Sequence, residues 1–283
     1  MLKVVIIGAG DLGGALAFTL ARHDRVGEVR LVDAQAGIAA GKALDILQSG
    51  PIERFGTRVT ASDDVGDVVG SDLVVIADRA GAAGGEWTGD EAVALLDRLA
   101  PLVPRAPIVC AGAAAAPLIE QGVSAGTVRR DRLFGSAPEA LAASVRAMVA
   151  LEINGSPDEV SLAVAGVPPA GFVVGWSDAT IGGANVARVL TPPALARLTA
   201  LVPRLWPPGP VALASAAARV ADAIAVGSRR QVSCFVVLDG ELGARRGLAA
   251  LSVRLGPRGL EAVALPALSA HERTQLDNAI AAE

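Results

Sequence analysis

The sequence predicts an α/β protein with a Rossmann-type, doubly wound parallel sheet, followed by an α+β second lobe. Apolar, strand-like runs alternate with segments of helical periodicity through the first half of the chain, which is typical of βαβ units. A glycine-rich turn follows the first of these runs. After about residue 150, turn signals such as Asp239-Gly240 separate neighbouring strand-like runs, which indicates antiparallel pairing.

In the first half, each predicted strand is a short apolar run, and each predicted helix has apolar residues three or four positions apart. The strands are expected near residues 2–8, 28–33, 57–61, 72–77 and 107–112. The helices are expected near residues 12–23, 37–49, 90–103 and 115–123. Because the two kinds of element alternate, the strands are expected to run parallel.

The second half has longer strand-like runs that are joined by turn residues. Strands are expected near residues 158–165, 230–239, 247–255 and 258–264. Helices are expected near residues 192–206, 212–226 and 268–282. We therefore predict a dinucleotide-binding domain at residues 1–135 and a substrate-type α+β domain at residues 136–283.

The composition is unusually apolar for a monomer. Hydrophobic residues make up 52% of the 283 residues, and the mean hydropathy is +0.48. The helices near 12–23, 37–49 and 212–226 carry Ala and Leu on more than one face. A homo-oligomer that buries part of this surface is therefore expected. The formal net charge of -4 gives no reason to expect a nucleic-acid partner.

The apolar segments do not predict a membrane span. The longest run, Ala106–Ile119, is shorter than a bilayer-spanning helix and contains Pro107 and Pro117. Cys110 and Cys234 lie in strand-like segments, where buried free thiols are expected rather than a disulfide or a metal pair. We therefore expect a cytoplasmic protein without a metal site.

The glycine-rich turn after the first strand predicts a dinucleotide site. Gly8 is expected to let the chain turn sharply, Gly10 to let the backbone approach a pyrophosphate, and Gly13 to let the next helix pack closely. The N–H groups and the dipole of that helix N-terminus favour the negative charge of phosphates. Asp33 lies twenty residues after Gly13, at the end of the second strand, where its carboxylate is expected to bind the adenosine ribose.

The acid at position 33 also predicts which dinucleotide binds. Because a carboxylate there repels a 2′-phosphate, NAD is expected rather than NADP. The alternative is a glycine turn without a nucleotide, but the strand, the helix and the acid around the motif favour the dinucleotide. The predicted cofactor-binding residues are Gly8, Gly10, Asp11, Leu12, Gly13, Asp33, Ala77 and Asp78.

Four further blocks carry a family resemblance. With Gly41–Pro51 (Gly-Lys-Ala-Leu-Asp-Ile-Leu-Gln-Ser-Gly-Pro) and Ser71–Ile76, the sequence resembles the NAD-dependent malate/lactate dehydrogenase family, nearer its malate branch. Val237–Gly240 and Val253–Glu261 resemble the second lobe of that family less specifically. The resemblance implies a dinucleotide-binding lobe followed by an α+β substrate lobe, with NAD as the cofactor.

The sequence departs from the family pattern at the catalytic positions. The family's catalytic His stands in a Gly-Gly-His-Gly-Asp turn, and the matching segment here, residues 165–170, has Pro168 in its place. The histidines of this chain, His23 and His271, lie elsewhere and are expected to be solvated or to cap helices. In place of the family's Ser-Asn-Pro turn near the nicotinamide, the chain has Ala113–Ala115.

The resemblance also implies an acid that orients the His and an Arg that binds the substrate carboxylate. The aligned positions hold Leu141 and Ser144. Glu139 and Arg146 each stand two residues away, which on a helix is a different face. The loop at 80–91, which in the family carries further substrate Arg residues, contains no Arg. The helix after it looks about two turns shorter than in the family.

We therefore predict an NAD(H)-binding protein of this fold that has lost the standard catalytic residues and does not turn over malate or lactate. The first alternative is an oxidoreductase that acts on a different substrate. Arg79 and Asp78 are then the strongest candidates, because strand ends open on the cofactor crevice. A loop pair bonded to backbone or water is the simpler interpretation of these two residues.

Other residues leave further alternatives open. Asp178 and Arg219 are weaker catalytic candidates from the second lobe. Trp87 either covers the crevice or forms a subunit contact. The second alternative function is that of a structural subunit that partners an active paralogue.

Overall fold

The computed structural model describes residues 2–81, 85–168, 171–227, 230–243 and 247–281. The first-half strands are β1 (Lys3–Ile7), β2 (Glu28–Val32), β3 (Arg58–Ser62), β4 (Leu73–Ile76), β5 (Ile108–Cys110) and β6 (Leu133–Gly135). They pair in parallel in the order β3-β2-β1-β4-β5-β6, so the sheet is wound outwards in both directions from β1 and β4. The predicted parallel sheet is confirmed. Strand β6 was not predicted, because three residues are too short to show a periodic pattern.

The four predicted helices of the first half are also present. They are α1 (Asp11–His23), α2 (Ala36–Glu53), α3 (Gly89–Leu102) and α4 (Ala116–Ser124). A short 3₁₀ turn at Val65–Val68 follows β3. Helix α2 extends past Gly50 and Pro51 to Glu53, and the next residue, Arg54, caps it with a left-handed φ of +63°.

The second half begins with a long helix that was absent from the predicted elements. The helices of this half are α5 (Ala137–Ile153), α6 (Val186–Val189), α7 (Pro192–Leu201), α8 (Pro210–Val226) and α9 (Ala270–Ala281). Nine residues of α5 are buried, and a helix that is apolar on most sides has a weak helical period. The helix expected at 192–206 is α-helical only to Leu201 and continues as a 3₁₀ turn, Val202–Leu205.

The second-half strands extend the same sheet. They are β7 (Val160–Ser161), β8 (Val164–Val167), β9 (Gly171–Val174), β10 (Thr180–Ile181), β11 (Ala184–Asn185), β12 (Gln231–Val237), β13 (Leu248–Gly256) and β14 (Gly259–Ala264). Strand β6 pairs antiparallel with β12, which is followed by β13, β8 and β9, with β14 also on β13. Strands β7, β10 and β11 form a small separate sheet. The antiparallel pairing predicted for this half is confirmed between β12 and β13, on either side of Asp239-Gly240, and between β13 and β14.

The single strand expected at 158–165 was wrong. Residues Pro157–Glu159 form a 3₁₀ turn, because the Ser156 side chain accepts a hydrogen bond from the Asp158 N–H. Strands β7 and β8 follow and belong to different sheets. The large sheet continues across the predicted domain boundary between residues 135 and 136. The division into two domains at that point remains a prediction.

The core lies on both faces of the large sheet. Every residue of β4 is buried, and the largest fully buried side chains include Phe134 and Phe235. A second, smaller cluster around Leu141 and Trp176 lies between residues 141 and 202, whereas α8, β12 and β13 contribute to the main core. Among the described residues, both cysteines are free and buried as predicted, and burial raises the pKa of Cys110 to about 12.

Helix α9 begins with a capping box. The N–H of Glu272 donates to Ser269 Oγ at 3.3 Å, and the N–H of Ser269 donates to the Glu272 carboxylate at 2.7 Å. Ser177 also donates to this carboxylate through its N–H and its hydroxyl. Burial raises the pKa of Glu272, but the hydrogen bonds from Ser177 and Ser269 outweigh it and lower the pKa below the ordinary value of 4.5.

In the described part of the chain, no single helix has both the length and the apolar character needed to cross a membrane. The segments Pro192–Leu205 and Pro210–Val226 meet those criteria only as a pair, bent by 96°.

Candidate cofactor site

The glycine-rich turn joins β1 to α1 at the carboxyl edge of the parallel sheet. Gly8 has a φ of +109°, and a Cβ there would lie 2.2 Å from the carbonyl oxygen of Asp78. A Cβ at Gly13 would lie 2.1 Å from the carbonyl oxygen of Gly8. Both distances are far below van der Waals contact, so these two positions require glycine. The sharp turn and the close approach of α1 to β1 are both present.

Asp33 lies directly after β2 and is buried. Its Oδ2 accepts hydrogen bonds from the N–H groups of Ala9 and Ala80, each at 2.8 Å. Its Oδ1 accepts from the Gln35 N–H at 2.9 Å. A carboxylate has about four acceptor positions, so one position on Oδ1 remains for a further donor.

A cavity of about 660 Å³ opens beside Asp33. It lies at the ends of β1 and β2, and its lining includes Val32, Gln35, Asp63, Trp87 and Arg98. This volume is within the range of ligand pockets for small molecules. Asp33 is itself one of the lining residues.

Asp78 occupies the start of α1. Its carboxylate oxygens accept hydrogen bonds from the N–H groups of Leu12 at 3.1 Å and Gly13 at 2.8 Å. Its carbonyl oxygen accepts from the Gly10 N–H at 2.9 Å. A Cβ at Gly10 would lie 2.3 Å from the Asp78 carboxyl group. The close approach predicted at Gly10 is therefore made by a side chain of the chain itself.

The remaining predicted residues surround this contact. Ala77 is buried, and its N–H donates to the carbonyl of Ile7 at 2.9 Å. The Asp11 side chain is 91% exposed and lies 3.8 Å from Lys42 Nζ. Lys42 in turn donates to the carbonyl of Gly10 at 2.6 Å. The motif did not indicate Lys42, because its helix packs beside the turn only in the folded chain.

The segment after Asp78 turns back on itself. The N–H of Arg79 donates to the carbonyl of Gly85 at 2.8 Å, and Asp78 forms an antiparallel bridge with Glu86. The guanidinium of Arg79 lies 2.5 Å from the Glu91 carboxylate and 4.9 Å from the Trp87 ring centroid. Arg79 is therefore paired in its loop, and it also lines the cavity beside Asp33.

Part of the predicted substrate loop cannot be placed. Ala82, Ala83 and Gly84 lie outside the described residues. Trp87 is partly buried and lines the cavity beside Asp33, at the position predicted for a side chain that covers the crevice.

Glu86 is a side chain at this edge of the sheet that the sequence did not indicate. Its carboxylate accepts hydrogen bonds from the N–H groups of Ala113 at 3.1 Å and Ala114 at 2.8 Å, in the turn between β5 and α4. A Cβ at Gly112 would lie 2.3 Å from the same carboxylate. No local motif surrounds Glu86, and its partners are 27 and 28 residues away in sequence.

The positions that the resemblance implies for catalytic groups hold Leu141, Ser144 and Pro168. Leu141 is fully buried in the core of the second lobe. The Ser144 hydroxyl donates to the carbonyl of Ala140 at 3.0 Å, within its own helix. Pro168 follows β8, while Pro169 and Ala170 lie outside the described residues.

Glu139 and Arg146 contact each other. The Glu139 carboxylate is buried and lies 2.7 Å from Arg146 and 3.2 Å from Arg219. It also accepts from the Ser233 N–H at 2.8 Å. Three of the charged groups considered as remnants or substitutes therefore form one structural cluster between α5 and α8.

The histidines lie outside the crevice. His23 Nδ1 is 2.9 Å from the carboxylate of Asp222, which also pairs with Arg25 at 3.2 Å. His271 is exposed at the start of α9. Asp178 is exposed in the turn before β10, where its N–H donates to the carbonyl of Gly175 at 3.3 Å.

Comparison with known proteins identifies the family. Residues 2–97 match the family described as lactate/malate dehydrogenase, NAD binding domain. A malate dehydrogenase from Thioalkalivibrio sulfidiphilus is 30% identical over 302 aligned positions, which cover 99% of this chain and 97% of that protein. The chain belongs to the malate/lactate dehydrogenase family. Another relative, the malate dehydrogenase of Salinibacter ruber, is 28% identical, with 97% of this chain and 92% of that protein covered.

Solved structures of this family share the fold. The structure of malate dehydrogenase from Salinibacter ruber has a TM-score of 0.89 at 26% identity, covering 99% of this chain and 95% of that chain. A Cryptosporidium parvum lactate dehydrogenase complexed with lactic acid and NAD has a TM-score of 0.86 at 22% identity, with 99% and 95% covered. At 22% identity, the similarity to the lactate dehydrogenase supports the fold alone.

NAD is the cofactor of the matched domain, and the crevice fits it at one end. The cavity and the open acceptor position of Asp33 suit adenosine. At the start of α1, however, two N–H groups suited to a pyrophosphate are bonded to Asp78. At the turn before α4, the N–H groups of Ala113 and Ala114 are likewise bonded to Glu86.

Proposed function

We propose that this family member binds NAD(H) but does not turn over malate or lactate. Leu141 carries the proposal. The resemblance implies, at this position, the acid that orients the catalytic His, and a buried apolar side chain stands there instead. The absence of His at position 168 and of Arg at position 144 supports it. A cytoplasmic location is part of the proposal.

The chemistry explains why these losses matter together. Oxidation of a 2-hydroxy acid removes the hydroxyl proton as hydride leaves, and a positioned base contributes about 10²–10⁴-fold to such a step. A bidentate Arg holds the substrate carboxylate and aligns the reacting atoms. Glu139 and Arg146 cannot supply these groups while they neutralise each other.

Oxidation of NADH with oxaloacetate and with pyruvate tests the proposal, with the Salinibacter ruber malate dehydrogenase as a positive control. We expect the rate of NADH oxidation with this protein to equal the background rate that is measured without it. Clear oxaloacetate turnover by this chain would refute the proposal.

A second candidate function is favoured by a specific observation. The chain aligns along almost its whole length with proteins named malate dehydrogenase. Activity on a different 2-oxo acid or an apolar ketone would then use other groups. A screen of such substrates that follows the oxidation of NADH separates this candidate from the first.

We propose that Gly8, Gly10, Asp11, Leu12, Gly13, Asp33 and Ala77 form the NAD(H) site, together with Asp78 as its local competitor. Because Asp33 would place its negative charge beside a 2′-phosphate, NAD is expected to bind at least about 10-fold more tightly than NADP. Calorimetry with both cofactors measures the ratio. Equal affinities would contradict the assignment of Asp33.

The proposal includes a homo-oligomer. The face of α2 exposes Ile38, Leu44, Leu47 and Ile52, and α8 exposes Val211 and Val226. Burial of such side chains between subunits removes apolar surface from water. Analytical ultracentrifugation at micromolar protein concentration checks this, and a monomer would contradict it.

A further inference from the structure

Two carboxylates of one hairpin bind main-chain N–H groups along the cofactor crevice. Asp78 binds the first turn of α1 through Leu12 and Gly13. Glu86 binds the turn before α4 through Ala113 and Ala114. The two residues pair through their main chains in the antiparallel bridge that closes the hairpin. They therefore occupy two neighbouring donor groups of the same edge of the sheet.

The N–H groups at the start of α1 are suited to an external phosphate. The first N–H groups of a helix have no partner within the helix, and the helix dipole there favours an anion. In a doubly wound sheet this is where the pyrophosphate of a dinucleotide lies. A pyrophosphate and the Asp78 carboxylate cannot use the same two donors, since both are negative and both need the space opposite Gly10.

The adenosine end of the crevice is free of this competition. Asp33 keeps one acceptor position, and the cavity beside it is about 660 Å³. The two halves of the crevice thus differ in what a ligand must displace.

We propose that the carboxylates of Asp78 and Glu86 compete with NAD for main-chain N–H groups of the crevice. The affinity for an adenine ligand then depends on which groups it has beyond the adenosine ribose. Adenosine binds without displacing either acid. ADP must displace Asp78 from α1, and NAD must displace both acids. The proposal rests on the proposed NAD(H) site, but it concerns affinity and not turnover.

Displacement does not require the hairpin to unfold. The hairpin is held by main-chain bonds, such as the bond from the Arg79 N–H to the Gly85 carbonyl. The N–H of Ala80 further attaches it to Asp33 at 2.8 Å. The two acidic side chains can therefore leave their donors while the main-chain bonds remain.

Calorimetric titration with adenosine, ADP and NAD tests the proposal. Asp78→Ala is expected to raise the affinity for ADP and for NAD by about 5-fold, which corresponds to the roughly 1 kcal/mol of a typical helix cap, and to leave the affinity for adenosine unchanged. Asp78→Asn keeps an acceptor for the α1 N–H groups without the charge, so a smaller rise is expected. Glu86→Ala is expected to raise the affinity for NAD but not for ADP.

Asp72→Ala is the matched control. Asp72 stands just before β4, at the opposite end of the strand from Asp78, and accepts from the Lys3 N–H at 2.8 Å. It is expected to leave all three affinities unchanged. Thermal melting shows whether each variant is folded, and Asp78→Asn replaces Asp78→Ala if the latter is not.

Three outcomes overturn the proposal. The first is that folded Asp78 variants bind ADP and NAD no more tightly than the wild type. The second is that adenosine affinity rises as much as ADP affinity, which indicates a general opening of the crevice. The third is that Glu86→Ala and Asp78→Ala have the same effect on every ligand. The oxaloacetate assay measures turnover, whereas these titrations measure affinity. Either proposal can therefore fail while the other stands.

Discussion

The two lobes of this protein bury a carboxylate in opposite ways. In the first lobe, Asp33 is 7% exposed, and its partners among the described residues are main-chain N–H groups. In the second lobe, Glu139 is 2% exposed and is bonded to Arg146, to Arg219 and to one main-chain N–H. Similar burial therefore serves different purposes in the two lobes.

The difference lies in what each partner set leaves available. The main-chain donors of Asp33 carry no formal charge, and they leave one acceptor position of its carboxylate open to a ligand. At Glu139, two guanidinium groups lie against Oε1 and the Ser233 N–H donates to Oε2, so this carboxylate joins α5 to α8 and to β12. A charged residue near its expected position is thus a weak sign of a surviving catalytic site.

Removal of Glu139 is expected to have the largest effect on stability. Glu139→Ala leaves Arg146 and the Ser233 N–H without their buried acceptor, at a cost of about 3 kcal/mol in the free energy of unfolding. NAD affinity is expected to stay the same. Urea denaturation and calorimetry measure the two quantities.

Glu152→Ala is the control on the same helix. Its pair with Arg197 is at the surface at 2.6 Å, so a loss below about 1 kcal/mol is expected. Equal losses for Glu139→Ala and Glu152→Ala would show that the buried cluster has no special weight.

A methyl group in the glycine turn is expected to have the next largest effect. Gly13→Ala places a Cβ 2.1 Å from the Gly8 carbonyl, which forces α1 away from β1 and costs about 2 kcal/mol. NAD binding is expected to weaken with it. Gly41→Ala in α2 meets no atom within 4 Å and is expected to stabilise the protein by about 0.5 kcal/mol. Similar stabilities of the two variants would contradict this difference between the sites.

The capping box of α9 predicts a smaller, pH-dependent effect in the second lobe. Because folding lowers the pKa of Glu272, its contribution is present above pH 4.5 and is lost as the pH falls through the lower pKa of the folded state. Glu272→Gln is expected to reduce this loss of stability on acidification. Thermal melting at pH 7 and at pH values below 4.5 gives the slopes, and parallel slopes for both proteins would contradict the prediction.

Restoring one catalytic residue is expected to have no effect on activity. Pro168→His supplies an imidazole, but the orienting acid and the substrate Arg would still be Leu141 and Ser144. Catalytic groups that act as a unit are not additive, so one alone recovers little. Oxidation of NADH with oxaloacetate compares the variant with the wild type. A large gain from Pro168→His would show that the other losses are misassigned.

The local features of the fold were predictable from the sequence. The run from Val4 to Ile7, the turn at Gly8 and the amphipathic segment after it specify β1 and α1 within 23 residues. Buried strands and tight turns depend on neighbouring side chains and on φ angles, which short patterns record. Strand β6 and helix α5 were not predicted, because the strand is very short and the helix is buried on most sides.

The use of the crevice was decided only by the tertiary structure. Asp78 was expected near a cofactor, but its carboxylate meets the N–H of Leu12, which is 66 residues away in sequence. Glu139 meets the Ser233 N–H, which is 94 residues away. The sequence by itself determined that a glycine turn, an acid after β2 and a family fold are present. Strand order and helix packing decided which acid reaches which donor, because a hydrogen bond depends on distances of about 3 Å that no spacing along the chain specifies.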